Sequence, residues 1–194
     1  MTTASYITPR TTLQKVILLG GCCALFAGCS TLGLSGPPPK TVAGRACPKV
    51  GFVPDATQIT QFRDGPGRDL TDIVARAGLL DFRGQCDYDD EGVTVSFNLF
   101  IGAERGPAFK GTEPAHLPYF VAITAPDGEI VAKQEFSAAI DFKDAARGGT
   151  AESLEQRIPL PKGKDARAYT VMAGFQLSRD QLAYNRLVGD KGPK

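Results

Sequence analysis

The chain has 194 residues, with 22 Lys and Arg against 21 Asp and Glu, one His, no Trp and a formal charge of +1. That balance excludes a strongly basic surface for nucleic acid or anionic lipid, and a single histidine excludes metal sites built on two imidazoles of one chain. The length suits one domain with appendages.

The N-terminus carries Arg10 and Lys15 and no acid, and from Val16 to Gly28 it runs without a charge. A positive segment followed by a short apolar one is the layout of a secretory signal. The run is shorter than the about 20 apolar residues that a spanning helix needs, and Gly20 and Gly21 weaken it further as a helix. It ends on Leu25-Phe26-Ala27-Gly28-Cys29, with two small residues before a cysteine. This stretch resembles the lipobox of bacterial lipoproteins, with Phe26 where that family usually has Leu. The resemblance covers residues 1–29 and implies that Cys29 carries acyl chains, palmitate among them, and that residues 1–28 are a signal peptide cut away. More than one chain gives stable attachment, because each buried CH₂ contributes about 0.8 kcal/mol. Ser30 and Thr31 follow where an Asp often marks inner-membrane retention, so the resemblance implies the periplasmic face of the outer membrane. Loss of Arg10 and Lys15 would leave the mature chain one negative charge beyond neutrality.

Of five cysteines, Cys22 and Cys23 leave with the signal and Cys29 takes the lipid. Cys47 and Cys86 remain, an even pair in an oxidising compartment, and are expected to form a disulfide. Two free buried thiols are the alternative. Closing a loop of about 40 residues would stabilise the fold by roughly 4 kcal/mol in the chain-entropy account. No C-x-x-C spacing supports a redox or zinc role.

Residues 29–46 read as a lipidated, flexible tether, with Gly33, Gly36, Gly44 and the run Pro37-Pro38-Pro39. At about 3.1 Å per residue it would span at most about 50 Å. A proline-rich docking ligand is the other reading of that run.

Strand patterns recur from Cys47 to Leu177. Asp69 to Ala77 is ambiguous between a helical turn and a strand, with strand favoured. Leu80, Phe82, Gly84, Cys86 and Tyr88 alternate with polar residues and are expected to point inward. Val93, Val95, Phe97, Leu99 and Ile101 repeat the pattern, and Asp89-Asp90-Glu91-Gly92 between the two runs predicts a hairpin. Tyr119, Val121 and Ile123 begin another strand, Pro126-Asp127-Gly128 supplies a turn, and Ile130, Ala132, Phe136, Ala138 and Ile140 mark the partner's inner face. Gln134 breaks that face, as a bulge or an edge would. A short strand over Leu154–Leu160 ends near Pro159, which suggests an edge, and Tyr169, Val171, Ala173, Phe175 and Leu177 form the last. Ser178 and Gln181 have capping-box spacing, predicting a short helix to about Leu187. The predicted fold over 47–187 is mostly β, an immunoglobulin-like β-sandwich of about seven strands with a short C-terminal helix. Residues 188–194 are expected to be a disordered tail. A small barrel is the alternative, and the tryptophan that packs on an antibody-type disulfide is absent.

The chemistry is sparse. His116 lies between Pro114 and Pro118 and reads as a loop imidazole, since a catalytic base needs a nucleophile and an orienting partner. No G-x-S-x-G elbow, P-loop or dinucleotide fingerprint is present. Asp87-Tyr88-Asp89-Asp90-Glu91-Gly92 resembles the opening of a calcium loop, but Asn98 stands where the EF-hand needs a bidentate Glu, so a solvated hairpin turn is favoured over a weak calcium site. Three Arg/Gly loops, at Arg63–Asp69, Arg105-Gly106-Pro107 and Arg147-Gly148-Gly149, have the composition of anion or peptide cradles, and loops carry function more often than sandwich cores. No catalytic residue, cofactor or metal ligand is assigned. The expectation is a non-catalytic, membrane-anchored module that meets an envelope protein partner. The alternatives are a lipid or small-ligand carrier with an apolar pocket between its sheets, and an envelope enzyme with His116 in a deep cleft.

Overall fold

The computed structural model describes residues 44–189 apart from Asp144. The expected signal peptide over 1–28, Cys29, most of the expected tether over 29–46 and residues 190–194 lie outside the described residues. The elements are β1 (Lys49–Phe52), a 3-10 turn at Pro54–Ala56, β2 (Gln58–Phe62), a second 3-10 turn at Leu70–Asp72, β3 (Ile73–Tyr88), β4 (Gly92–Arg105), β5 (Ala115–Thr124), β6 (Ile130–Ile140), β7 (Arg147–Pro159), β8 (Thr170–Phe175) and α1 (Arg179–Gly189). They form two four-stranded sheets, β1-β8-β5-β6 and β2-β3-β4-β7, in a sandwich-like arrangement. Every pairing is antiparallel except β1 with β8.

Both sheets feed one core. Leu99 and Ile101 of β4 meet Leu117, Tyr119 and Val121 of β5, Ile140 of β6, and Val171 and Phe175 of β8, each at most 1 % exposed. Burying one such side chain is worth about 1.5–3 kcal/mol.

Several expectations change in detail. Eight strands form instead of about seven, because β1 and β2 are short edge strands that take their order from neighbours. Residues 70–72 make a 3-10 turn, and the strand expected from Asp69 begins at Ile73. It then runs unbroken to Tyr88, so two expected segments are one strand. Its facing differs as well. The partners step from Leu79↔Ile101 to Asp81↔Phe100, leaving Leu80 as an extra residue. This β-bulge shifts the period-2 phase. Ile73, Ala75, Ala77 and Leu79 face the core before it and Cys86 after it, while Leu80, expected inside, is 67 % exposed. The strand expected at Leu154–Leu160 starts at Arg147, and it is an edge strand, as Pro159 implied. β6 is also an edge, with Gln134 exposed and accepting a 3.0 Å bond from Nε2 of the buried Gln156. The capping box forms, with Gln181 N–H donating to Ser178 Oγ (3.2 Å) and Ser178 N–H to Gln181 Oε1 (2.9 Å).

Cys47 and Cys86 are disulfide-bonded, with Cα atoms 5.8 Å apart. The bond ties the residue before the β1–Pro48 entry to the far end of β3, joining the two sheets. Phe52 of β1 packs edge-on against Phe82 of β3 (5.5 Å) at the same seam. Tyr88 Oη donates to Ala46 O and accepts from Ala166 N–H (2.8 Å). Arg45 lies 4.2 Å over the Tyr88 ring. No helix among the described residues is long and apolar enough to cross a membrane.

Candidate functional site

The register of the second sheet decides where its loops lie. Phe62 pairs with Ile73, Ala75 with Arg105 and Glu104 with Arg147. The three Arg/Gly loops therefore leave the sheet at one end. Tyr88 pairs with Val93 and Gly92 with Pro159, so the 89–91 hairpin sits at the other end, with the Cys47–Cys86 bond. β3 separates them by 16 residues, roughly 50 Å at about 3.3 Å per residue. The chain enters the domain at the hairpin end and presents the three loops at the opposite one.

The loop at 63–72 is built on Asp72, which is 3 % exposed. Its Oδ2 accepts the Asp69 N–H (3.1 Å) in a reciprocal capping box, and its Oδ1 pairs with the Arg63 guanidinium. Such a buried carboxylate is tolerated because it is both hydrogen-bonded and paired. The loop passes so close that a Cβ at Gly67 would stand 2.2 Å from Asp72 Oδ2. At the second loop a Cβ at Gly106 would stand 2.1 Å from the Ile73 carbonyl oxygen, and this approach lets Gly106 N–H and Ala108 N–H bond Val74 O and Ile73 O (2.8 Å each). Together these contacts order the start of β3.

Phe62, Arg63, Asp64, Gly65 and Arg68 face Ser178, Asp180 and Gln181 of α1 across an open cavity of about 200 Å³. Its arginines are engaged. Arg68 donates to Gly65 O (2.9 Å) and Gly67 O (2.7 Å), lies 5.3 Å from the Phe62 ring centroid and sits 3.7 Å from Asp180. Arg147 pairs with Glu104 at 2.7 Å. Arg63, Arg68 and Arg147 each have an acid beside them, so these three guanidinium groups take part in holding the first and third loops.

A second hollow, about 410 Å³ and more open, lies on the outer face of the second sheet, lined by Arg83, Gln85, Ser96, Asn98 and Ser153. Ser153 Oγ donates to Asn98 Oδ1 (2.8 Å) on its floor. The alternation of polar residues along β3, β4 and β7 carries the signal for it, and it places Arg83 and Gln85 on the outer face, where they stand.

The acidic hairpin is closed on itself. Asp89 Oδ1 accepts the Glu91 and Gly92 N–H groups (2.8 and 2.9 Å), and Arg157 grips both carboxylate oxygens at 2.7 Å. The Arg157 hydrogen bond and these backbone donors pull the Asp89 pKa down from 3.8 to about 2, and the same hydrogen bond pushes the Arg157 pKa up. Asp90 pairs with Lys162 at 3.0 Å. These carboxylates face cations of the chain itself, and among the described residues no three His, Cys, Asp or Glu side chains gather as a metal site would need.

His116 is on β5 and not in a loop. Pro118 is tolerated because its nitrogen, like its carbonyl, faces the β8 side and not β6: the carbonyl accepts Gln176 N–H (2.9 Å) one step beyond the Tyr119↔Phe175 pair, so the ring forfeits only the reciprocal bond at the end of that ladder. The imidazole is exposed, and the His116 carbonyl accepts a 2.7 Å bond from Gln61 Nε2 that links β5 to β2. A different polar pair is enclosed. Tyr119 Oη lies 3.4 Å from Glu152 Oε2, and Thr150 Oγ1 donates to Glu152 Oε1 (3.2 Å). Burial, and then the Glu152 charge, push the Tyr119 phenol above its ordinary pKa, so it stays protonated.

No family model, curated protein or solved structure matches this chain.

Proposed function

We propose that this chain is a lipoprotein of the cell envelope, anchored by acylated Cys29 to the periplasmic face of the outer membrane, and that it acts by binding an envelope protein rather than by catalysis. The observation that carries this reading is the opposition of its two ends. The tether joins where Cys47, Cys86 and Tyr88 pin the chain, and the three loops stand about 50 Å away along β3. An anchored module whose business is contact needs a fixed end and a presented end. The loops are ordered by paired arginines and buried Asp72, which lowers the entropy that binding must supply.

An immunoglobulin-like type is the finer fold reading. Its support is the interlock in which β4 and β7 are neighbours in one sheet while β5 and β8 are neighbours in the other, as strands B and E and strands C and F are in that fold. It departs from the antibody pattern in the disulfide, which joins β3 to the segment before β1.

The test is in-cell photo-crosslinking of the full chain, with a photoreactive residue at Asp64, Lys110 or, at the tether end, Asp90. The expected result is one stoichiometric envelope protein captured from Asp64 and Lys110 and little from Asp90. No reproducible capture from either loop position, under conditions that trap a known envelope complex, would overturn the reading.

A further inference from the structure

The outer face of the second sheet changes character along its length. Towards each end its charged side chains are ion-paired, Arg147 with Glu104 at the loop end and Arg157 with Asp89 at the hairpin end. In the middle the register sets Arg83, Asn98 and Ser153 in one row across β3, β4 and β7, and Gln85, Ser96 and Glu155 in another. Between these rows lie Gly84, which has no side chain, and Phe97 and Leu154, whose side chains are in the core. The surface dips there, and this is the hollow of about 410 Å³.

Its hydrogen-bonding groups are mostly uncharged and unspent. The Gln85 carboxamide, the Ser96 hydroxyl and Asn98 Nδ2 have no partner among the described residues. Ser153 Oγ donates to Asn98 Oδ1 (2.8 Å) and so fixes the rotation of that amide. The one charge in the lining, Arg83, is paired with Asp81 at 3.2 Å. An apolar margin adjoins the hollow. Phe100 follows Asn98 on the same face of β4, with the Arg83 guanidinium 5.6 Å from its ring centroid. The bulge turns Leu80 outward beside it, 67 % exposed and lying over Gly102, where a Cβ would stand 2.9 Å from Leu80 Cδ1.

We propose that this face binds an uncharged saccharide chain, with its hydroxyls on Gln85, Ser96 and Asn98 and its C–H faces on Phe100 and Leu80. Amide and hydroxyl side chains both donate and accept, as sugar hydroxyls do. A neutral lining complements a neutral ligand, and a sugar ring carries apolar faces beside its polar edge, as this surface does. An extended peptide fits less well, because it recognises a sheet through the backbone of an open edge, and β4 has β3 on one side and β7 on the other. The inference goes beyond the protein-binding reading and depends on neither the lipid anchor nor the three loops.

The test is isothermal titration calorimetry of the full chain, in a polyoxyethylene detergent that has no sugar headgroup. Maltohexaose, cellohexaose and chitohexaose are titrated in turn, and a Gly/Ser peptide of similar length for comparison. At least one saccharide is expected to bind, with an affinity that added salt leaves unchanged, since the ligand carries no charge to screen. Gln85→Ala/Asn98→Ala should weaken that binding about tenfold. Ser96→Tyr places a ring in the hollow at an outward-facing strand position that suits Tyr, and should abolish binding while the strand signal in circular dichroism is kept. Asp64→Ala, at the loop end, should bind as the wild type does. No binding of any of the three saccharides at millimolar concentration, binding that either folded hollow variant leaves intact, or a peptide that binds where the saccharides do not, overturns the proposal.

Discussion

β1 and β2 are consecutive in the chain, both are short and both are edge strands, yet they are secured by opposite means. β1 has no buried residue and pairs with β8 over Lys49–Phe52 only. It is held by a covalent bond at Cys47, the Phe52–Phe82 ring contact and the two hydrogen bonds of Tyr88 just upstream. β2 buries Ile59 and Thr60 in its middle, and the outward carbonyls of Gln58 and Thr60 are taken by side-chain amides of α1, beside the Tyr184–Phe62 ring contact. On the proposed anchored reading, a strand at the entry of a tether must resist being pulled away, and a disulfide does that whatever the local packing. A strand at a free edge must only be denied a partner, and a few polar contacts suffice.

The largest effect in breaking this comparison is expected at the β1 side. Cys47→Ser/Cys86→Ser should lower the unfolding free energy by about 4 kcal/mol, since the bond spans 39 residues. Urea titration of the oxidised wild type, the reduced wild type and the variant checks this, with the last two expected to coincide. Next comes Tyr88→Phe, which leaves the buried Ala166 N–H without its acceptor and should cost about 1–3 kcal/mol in the same titration. Gln181→Ala/Asn185→Ala at the β2 edge should cost less than either, under about 1 kcal/mol, because the amide bonds there are exchanged for bonds to water.

A smaller, pH-dependent effect sharpens the picture at the tether end. The folded Asp89 pKa lies below its ordinary value, at about 2 against 3.8. Its contribution is therefore fully present above the ordinary value and fades as the pH falls from about 4 towards 2. Asp89→Asn should lower the denaturation midpoint at neutral pH, and the gap from wild type should close across that acid window. A gap of constant size down to pH about 2 would mean that the Arg157 grip does not favour the charged form.

Much of this was legible in the sequence, and the parts that were not share a cause. The hairpin at 89–91, the capping box at Ser178 and Gln181 and the edge marked by Pro159 rest on local signals, the Cys47–Cys86 pairing rests on a count of the remaining cysteines, and all four stand as read. The facing of Leu80 was misread because a single bulge residue inverts the alternation, and nothing in Leu79-Leu80-Asp81 announces it. His116 was misread because flanking prolines argue for a loop unless one knows which edge of the strand each N–H faces. The three loops were singled out one by one for their arginines and glycines. Their gathering at one end of the sheet is a matter of register, which no local pattern carries, and so is the carboxylate beside Arg63, Arg68 and Arg147. The β2 edge was missed for the same reason: Gln181 and Asn185 lie more than 120 residues from the carbonyls they cover.

The account depends most on Cys29, because the opposition of a fixed end and a presented end has meaning only if the chain is anchored. Metabolic labelling of cells with a fatty-acid analogue, followed by purification of the wild type and of Cys29→Ala, tests this most directly. Label should appear in the wild type on the peptide that begins at Cys29, in the membrane fraction, and be absent from Cys29→Ala. A wild-type protein that carries no label, or a labelled Cys29→Ala, would contradict the account.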